Sequence, residues 1–96
     1  MSNAYLIVSG RISDKATVEE YKSLAGPVLK KHNAILPPEN YKVSNVLAGD
    51  SSPEFLLRIP FPTTEDINKA FADPEYLKVI SLRDKGFSEL SIYSVS

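Results

Sequence analysis

The two halves of this 96-residue chain follow one plan: a strand, a helical stretch interrupted by proline, and a second strand. The first half runs from Tyr5-Leu6-Ile7-Val8 through Gly26-Pro27 to Tyr41-Lys42-Val43. The second runs from Phe55-Leu56-Leu57-Arg58 through Asp73-Pro74 to Leu90-Ser91-Ile92-Tyr93. Such a doubling constrains the fold far more than it constrains any reaction.

Residues 4 to 12 alternate as a strand, with Leu6, Val8 and Ile12 on one face and Tyr5, Ile7, Ser9 and Arg11 on the other. Ser13-Asp14 can cap a helix over residues 15 to 32, whose stripe Val18, Tyr21, Ala25, Val28, His32 is spaced three, four, three, four. Gly26-Pro27 falls inside that stripe, so a kink or restart is expected there. Asn33 is a fitting C-cap, and Pro37-Pro38 delays a second strand to residues 41 to 48. Turn residues Gly49 to Pro53 join it as a hairpin to a third strand, 54 to 61, in which Pro60 predicts lost pairing. Thr63 or Thr64 opens the second helical region, with Ile67, Ala70 and Phe71 facing inward. Asp73-Pro74-Glu75 restarts it, with Asp73 as N-cap and Pro74 at the first helical position, Leu77, Ile80 and Tyr76 form its apolar side, Gly86 ends it, and residues 87 to 95 form the last strand.

The order βαββαβ with right-handed crossovers yields an α+β fold. It is a ferredoxin-like plait with a four-stranded antiparallel sheet, order 4-1-3-2, and two helices on one face. At this length residues 1–96 read as one domain. Tyr5, Ile7, Leu56, Tyr93 and Val95 fall on the face that the helices leave uncovered. Two such sheets packed against each other, as a symmetric homodimer, would cover them.

Eleven basic and twelve acidic residues give a net charge of −1, which supplies no field for nucleic acid or an anionic membrane. RNA recognition on this strand order would need aromatics on the open face of strand three, whereas Phe55 and Phe61 fall on the helix side. The chain has no cysteine and one histidine, with no HxxxH, HxH or acidic triplet, so no metal site or haem ligation is expected. Its four glycines are dispersed rather than gathered in a phosphate loop, and no cofactor is implied. The opening apolar run is too short for a signal peptide or a membrane span, so a cytoplasmic location is expected. Ser2-Asn3-Ala4 reads equally as a native start and as a cloning remnant.

Five side chains are candidate ligand-binding residues. His32, at the end of the first helix, is expected near the mouth of the space between sheet and helices; it could act as a base or anion site, or simply favour the helix dipole. Tyr76 and Arg83 lie two turns, about 10 Å, apart on one side of a helix. They could line one cavity, or Tyr76 could pack in the core while Arg83 pairs with a carboxylate. Tyr21 is a core aromatic with a wet hydroxyl. Arg58 projects from the open sheet face and, if buried, needs a carboxylate, carbonyl or ligand. Arg11 is expected to pair across strands with Glu89.

Several segments resemble a family of small bacterial proteins known only as a domain of unknown function, within the dimeric α/β-barrel superfamily. They are Ala4-Tyr5-Leu6-Ile7-Val8, Tyr21 to Pro27 running into Lys31-His32, Phe61-Pro62-Thr63, and Asp73-Pro74-Glu75-Tyr76 with Leu82-Arg83. The chain is a divergent member on this comparison, with Asn33-Ala34 and Leu36-Pro37-Pro38-Glu39-Asn40 where glycine pairs are usual, and Pro60 where an acid is usual. The resemblance implies a dimer; the superfamily includes cofactor-free monooxygenases, haem-degrading enzymes and lactone isomerases. The expected function is therefore a homodimeric small-molecule binder, or a cofactor-independent enzyme acting on a small organic acid or aromatic. The alternative is a non-catalytic structural or regulatory dimerisation module.

Overall fold

The computed structural model describes residues 4–96; Ser2 and Asn3, whose origin the sequence left open, lie outside them. The chain forms β1 (Ala4–Ile12), α1 (Lys15–Lys31), β2 (Glu39–Lys42), β3 (Phe55–Phe61), α2 (Thr64–Ala72), α3 (Pro74–Leu77), α4 (Ile80–Gly86) and β4 (Phe87–Val95). The four strands make one antiparallel sheet in the order β2-β3-β1-β4, which is the expected 4-1-3-2 read from the other edge. The helices cover the face carrying Ala4, Leu6, Ile59 and Phe61, and these pack with Leu29, Ala34, Ile67 and Ala70 into the main core.

Local chemistry explains the boundaries. Asp14 starts α1 by accepting from Thr17 N, and Thr63 starts α2 by accepting from Asp66 N. α1 runs through Pro27 without the expected restart. The residue before a proline is normally driven out of helical conformation by its own Cβ, and Gly26 has none. At its end Asn33 takes a left-handed φ of 74°, Asn33 N bonds Lys30 O and Ala34 N bonds Leu29 O. This is the Schellman arrangement, with Leu29 and Ala34 meeting in the core.

Four expectations are corrected. β2 occupies Glu39–Lys42 rather than 41 to 48, because Lys42 pairs with Phe55 and Val43 N bonds Glu54 O, so the chain beyond runs past the start of β3. Leu47 is accordingly 91% exposed on a long loop. Pro60 does not end the pairing of β3, since Tyr5 and Ala4 still face Pro60 and Phe61. The polar edge of Pro60 points away from β1, where β2 has already ended and its carbonyl accepts from Ile35 N, so no ladder donor is missed. The second helical region breaks again at Lys78-Val79, giving α3 and α4, and Leu77 is exposed rather than inward. Finally, β4 carries one extra residue opposite Gly10, with Glu89 at φ 52°, so Arg11 faces Ser88 instead of Glu89. Arg11 bonds Ser52 O and approaches Glu54 at 3.9 Å. Gly10 admits this bulge, because a Cβ there would lie 3.1 Å from Leu90 Cα.

Among the described residues no helix is long and apolar enough to cross a membrane.

Candidate functional site

Between the sheet and α1 lies a cavity of about 300 Å³. Its floor is made by Leu6 and Val8 of β1, Leu57 and Ile59 of β3, and Leu90 and Ile92 of β4. Tyr21, Ala25 and Leu29 of α1 form its roof, and the segment from Leu36 to Asn40 borders it. The roof follows from the helical stripe: Val18, Ala25 and Val28 are buried, while Tyr21, one turn from each neighbour, is only partly so. The volume is at the small end for ligand sites, and a mostly apolar wall with a few convergent polar groups is their usual character.

The polar groups meet at one end. Tyr21 Oη and Tyr76 Oη lie 2.9 Å apart, and Arg83 Nη1 donates to Tyr76 Oη at 3.1 Å. Tyr76 is fully buried, its ring 4.5 Å from that of Phe71, and Arg83 lies over its ring at 5.9 Å. The break at Asp73-Pro74 turns Tyr76 inward: Asp73 caps α3 through Glu75 N, and Pro74 takes the first helical position. Arg83 also bonds the Asp84 carboxylate at 3.3 Å. Burial pushes the Tyr21 phenol up, with the neighbouring Tyr76 adding to the effect, so it stays protonated at neutral pH.

His32 is not at the mouth of this cavity. The turn that ends α1 carries it to the α2–α3 junction, where Nε2 lies 2.8 Å from Asp73 Oδ2 and Lys31 Nζ lies 2.7 Å from the same oxygen. Lys31, His32 and the Glu75 amide together hold the Asp73 carboxyl far below the usual carboxylate range. Arg58 lies on the opposite side of the sheet, bonded to Glu39 at 2.9 Å and stacked 4.5 Å from the centre of the Tyr5 ring. Its Nε is shielded from solvent and has no hydrogen-bond partner among the described residues. Of the five candidates, then, the fold gathers Tyr21, Tyr76 and Arg83 and separates His32 and Arg58 from them. Lys22, on the cavity wall beside Tyr21, carried no signal in the helical stripe, because it lies one position off it. Asp73 read only as a cap; its second oxygen becomes an ion-pair hub through the folding of α1 against it.

The sequence model of the family described as Domain of unknown function (DUF1330) matches residues 3–95. No curated protein matches the sequence. Among solved structures, the chain is similar to a protein of unknown function from Rhodopseudomonas palustris at a TM-score of 0.79 and 12% identity, over 96% of this chain and 79% of that one. It is similar to SnoaB, a cofactor-independent oxygenase from Streptomyces nogalater, at a TM-score of 0.69 and 8% identity, over 100% and 95% of the two chains. A third, described as a dimeric protein of unknown function with a ferredoxin-like fold from Bacteroides fragilis, gives a TM-score of 0.50 at 15% identity, over 97% and 94%. At these identities the likeness is one of fold.

Proposed function

This chain belongs to the DUF1330 family, and we propose that it is a homodimeric small-molecule protein of the cytoplasm, its residues 1–96 one domain. Its cavity beneath α1 takes a small organic acid or aromatic compound, as a binder or as an enzyme that needs no cofactor. One observation carries this reading: the space between sheet and α1 is left open, about 300 Å³, with a hydrogen-bonded cluster of Tyr21, Tyr76 and Arg83 at one end. Interiors normally pack to crystal-like density, so an opening of that size bordered by polar groups suits a ligand better than it suits stability. The enzyme form of the reading draws support from the likeness to a cofactor-independent oxygenase.

Dimerisation is supported by the open sheet face. Tyr5, Ile7, Leu56, Tyr93 and Val95 share it, and Tyr93 is 56% exposed. The unpartnered Arg58 Nε on the same face is suited to an acceptor from a second copy, and one structural neighbour is described as dimeric. These observations alone would also favour a pure dimerisation module. The two readings part on the cavity. Val8 and Leu57 face each other across β1 and β3 on its floor, so Val8→Phe/Leu57→Phe should fill it with residues that suit a strand. The expected result is a dimer by light scattering for both proteins, and a small-molecule adduct retained in native mass spectrometry only by the unsubstituted one. A monomer at micromolar concentration would sink the dimer, and an adduct equally retained by the filled variant would sink the cavity.

A further inference from the structure

The polar end of the cavity has a direction. Tyr76 Oη is fully buried and has two neighbours among the described residues, Arg83 Nη1 and Tyr21 Oη. A guanidinium only donates, so Tyr76 accepts from Arg83. The hydroxyl hydrogen of Tyr76 then has one acceptor within reach, the oxygen of Tyr21; the reverse arrangement would leave that hydrogen buried with nowhere to go. Donation therefore runs from Arg83 to Tyr76 to Tyr21, and the hydrogen of Tyr21 is left over at the cavity wall. Tyr21 is the one phenol on that wall among the described residues, and the upward push on its titration keeps the hydrogen in place.

The charges agree in sign. Lys22 and Arg83 both border the cavity, and among the described residues no carboxylate does. Asp84 sits with Arg83 in an adjoining recess and engages its Nε, which with the bond from Nη1 leaves three of the five guanidinium hydrogens without a protein acceptor among the described residues. The rest of the wall is aliphatic or aromatic apart from Asn40 at its edge.

We propose that the ligand of this cavity carries an anionic oxygen, a carboxylate or a phenolate, on a small apolar skeleton, with that oxygen held by the Tyr21 hydroxyl and the free hydrogens of Arg83. The proposal deepens the small-molecule reading and rests on it. The volume, about ten waters' worth at roughly 30 Å³ each, suits a monocyclic aromatic acid or a short branched aliphatic one. Arg83 and Tyr21 recognise the oxygen, while the floor of Leu6, Val8 and Ile92 takes the skeleton.

Benzoate and nitrobenzene test this, because they share one shape and differ in charge. In a ¹⁵N-resolved NMR titration of the full chain at neutral pH, both should shift the amides of Val8, Ala25 and Ile92, with benzoate binding at least about tenfold tighter, the usual scale of a charge-assisted hydrogen bond. Tyr21→Phe should remove about that factor for benzoate and leave nitrobenzene within about twofold, since the phenyl ring remains. Arg83→Gln should do the same, with Arg83→Lys restoring part of it. Equal binding of the two probes, or a Tyr21→Phe variant that weakens both alike, would overturn the anion assignment and leave the cavity as a binding site. Failure of both probes to shift any cavity amide would overturn the small-molecule reading together with this one.

Discussion

The direction of donation through the tyrosine pair has a consequence for stability that runs against burial. Tyr76 is the more buried of the two, and a count of lost contacts would make Tyr76→Phe the more damaging change. The hydrogen-bond accounting says otherwise. Tyr76→Phe frees Arg83 Nη1 and the oxygen of Tyr21, and both residues border the cavity, where water can replace the lost partner. That loss is of the order of a net hydrogen bond, about 0.5–1.5 kcal/mol. Tyr21→Phe instead removes the acceptor for the Tyr76 hydrogen and strands it in a site that water does not reach, a cost of about 1–3 kcal/mol. For a domain near this length each kcal/mol moves the midpoint by about 4–8 °C. Tyr21→Phe should thus lower the thermal midpoint by roughly 8–16 °C, taking about 2 kcal/mol as the centre of that range. Tyr76→Phe should lower it by about half as much. The double variant is the sharper test, because once Tyr76 lacks a hydroxyl there is no hydrogen to strand. It should be more stable than Tyr21→Phe alone, a coupling that thermal and urea unfolding followed by circular dichroism would resolve. A double variant less stable than either single, with the two losses simply adding, would refute the assigned direction.

Two further outcomes test other parts of the fold. Pro27 is exposed within α1, so Pro27→Ala removes no core contact; a helix-interior proline is about 3 kcal/mol worse than alanine, and about 1 kcal/mol returns through the freer unfolded chain. The expected gain of about 2 kcal/mol should raise the midpoint by roughly 8–16 °C in a thermal scan, and no gain would mean that Pro27 holds α1 in a bend the packing needs. Asp73 has its folded carboxyl held below the ordinary value of 3.8 by Lys31, His32 and the Glu75 amide, so its contribution is complete above that pH and lost as acid protonates it. Asp73→Asn keeps a capping oxygen but no charge: the variant should be less stable at pH 7 and show a shallower fall in urea midpoint below about pH 4 than the unsubstituted chain, whereas parallel acid limbs would show that the ion pairs with Lys31 and His32 contribute nothing.

What the sequence made legible followed from periodicity and caps. The alternation in residues 4 to 12, the stripe from Val18 to Val28, the cap at Thr63 or Thr64 and the cap at Asp73 each acted locally, and each stands in the structure, with Thr63 the capping threonine. The misreadings came where a distant partner decided. Whether residues 43 to 48 could extend a strand depended on where β3 begins, and whether Pro60 broke the ladder depended on β2 having ended beside it. Glu89 lost Arg11 to a bulge that Gly10 makes room for, which a count of alternating faces cannot register. The same limit governed the candidate site. Tyr76 and Arg83 were legible together from their seven-residue spacing, and they still meet although the helix breaks between them at Lys78-Val79, whereas the meeting of Tyr21 with Tyr76 is a tertiary contact across 55 positions.

The two halves are alike in order and unlike in the work of their prolines, and the site depends on the difference. In the first half Gly26 lets α1 continue past Pro27, so one unbroken helix can lie along the sheet and hold Tyr21, Ala25 and Leu29 in line above Val8 and Ile92. In the second half Asp73-Pro74 ends one helix and starts another, and the chain breaks again at Val79. The cavity lies beneath α1, and from the broken helical region only Phe71 of α2 and Arg83 of α4 reach its wall among the described residues. The break at Lys78-Val79 keeps the two partners within reach: Tyr76 enters the core from the first turn after Pro74, and Arg83 reaches its hydroxyl from the next segment. Close approach of α4 to α1 fixes that reach, since a Cβ on Gly86 would lie 2.9 Å from Val18 Cγ2. A Gly86→Ala substitution should therefore move α4 away from α1 and loosen the Arg83–Tyr76 bond before it disturbs the sheet. Such a change would register as weaker benzoate binding with β-sheet amide shifts unchanged, and unaltered binding would mean that Arg83 is positioned by Asp84 rather than by the packing of the two helices.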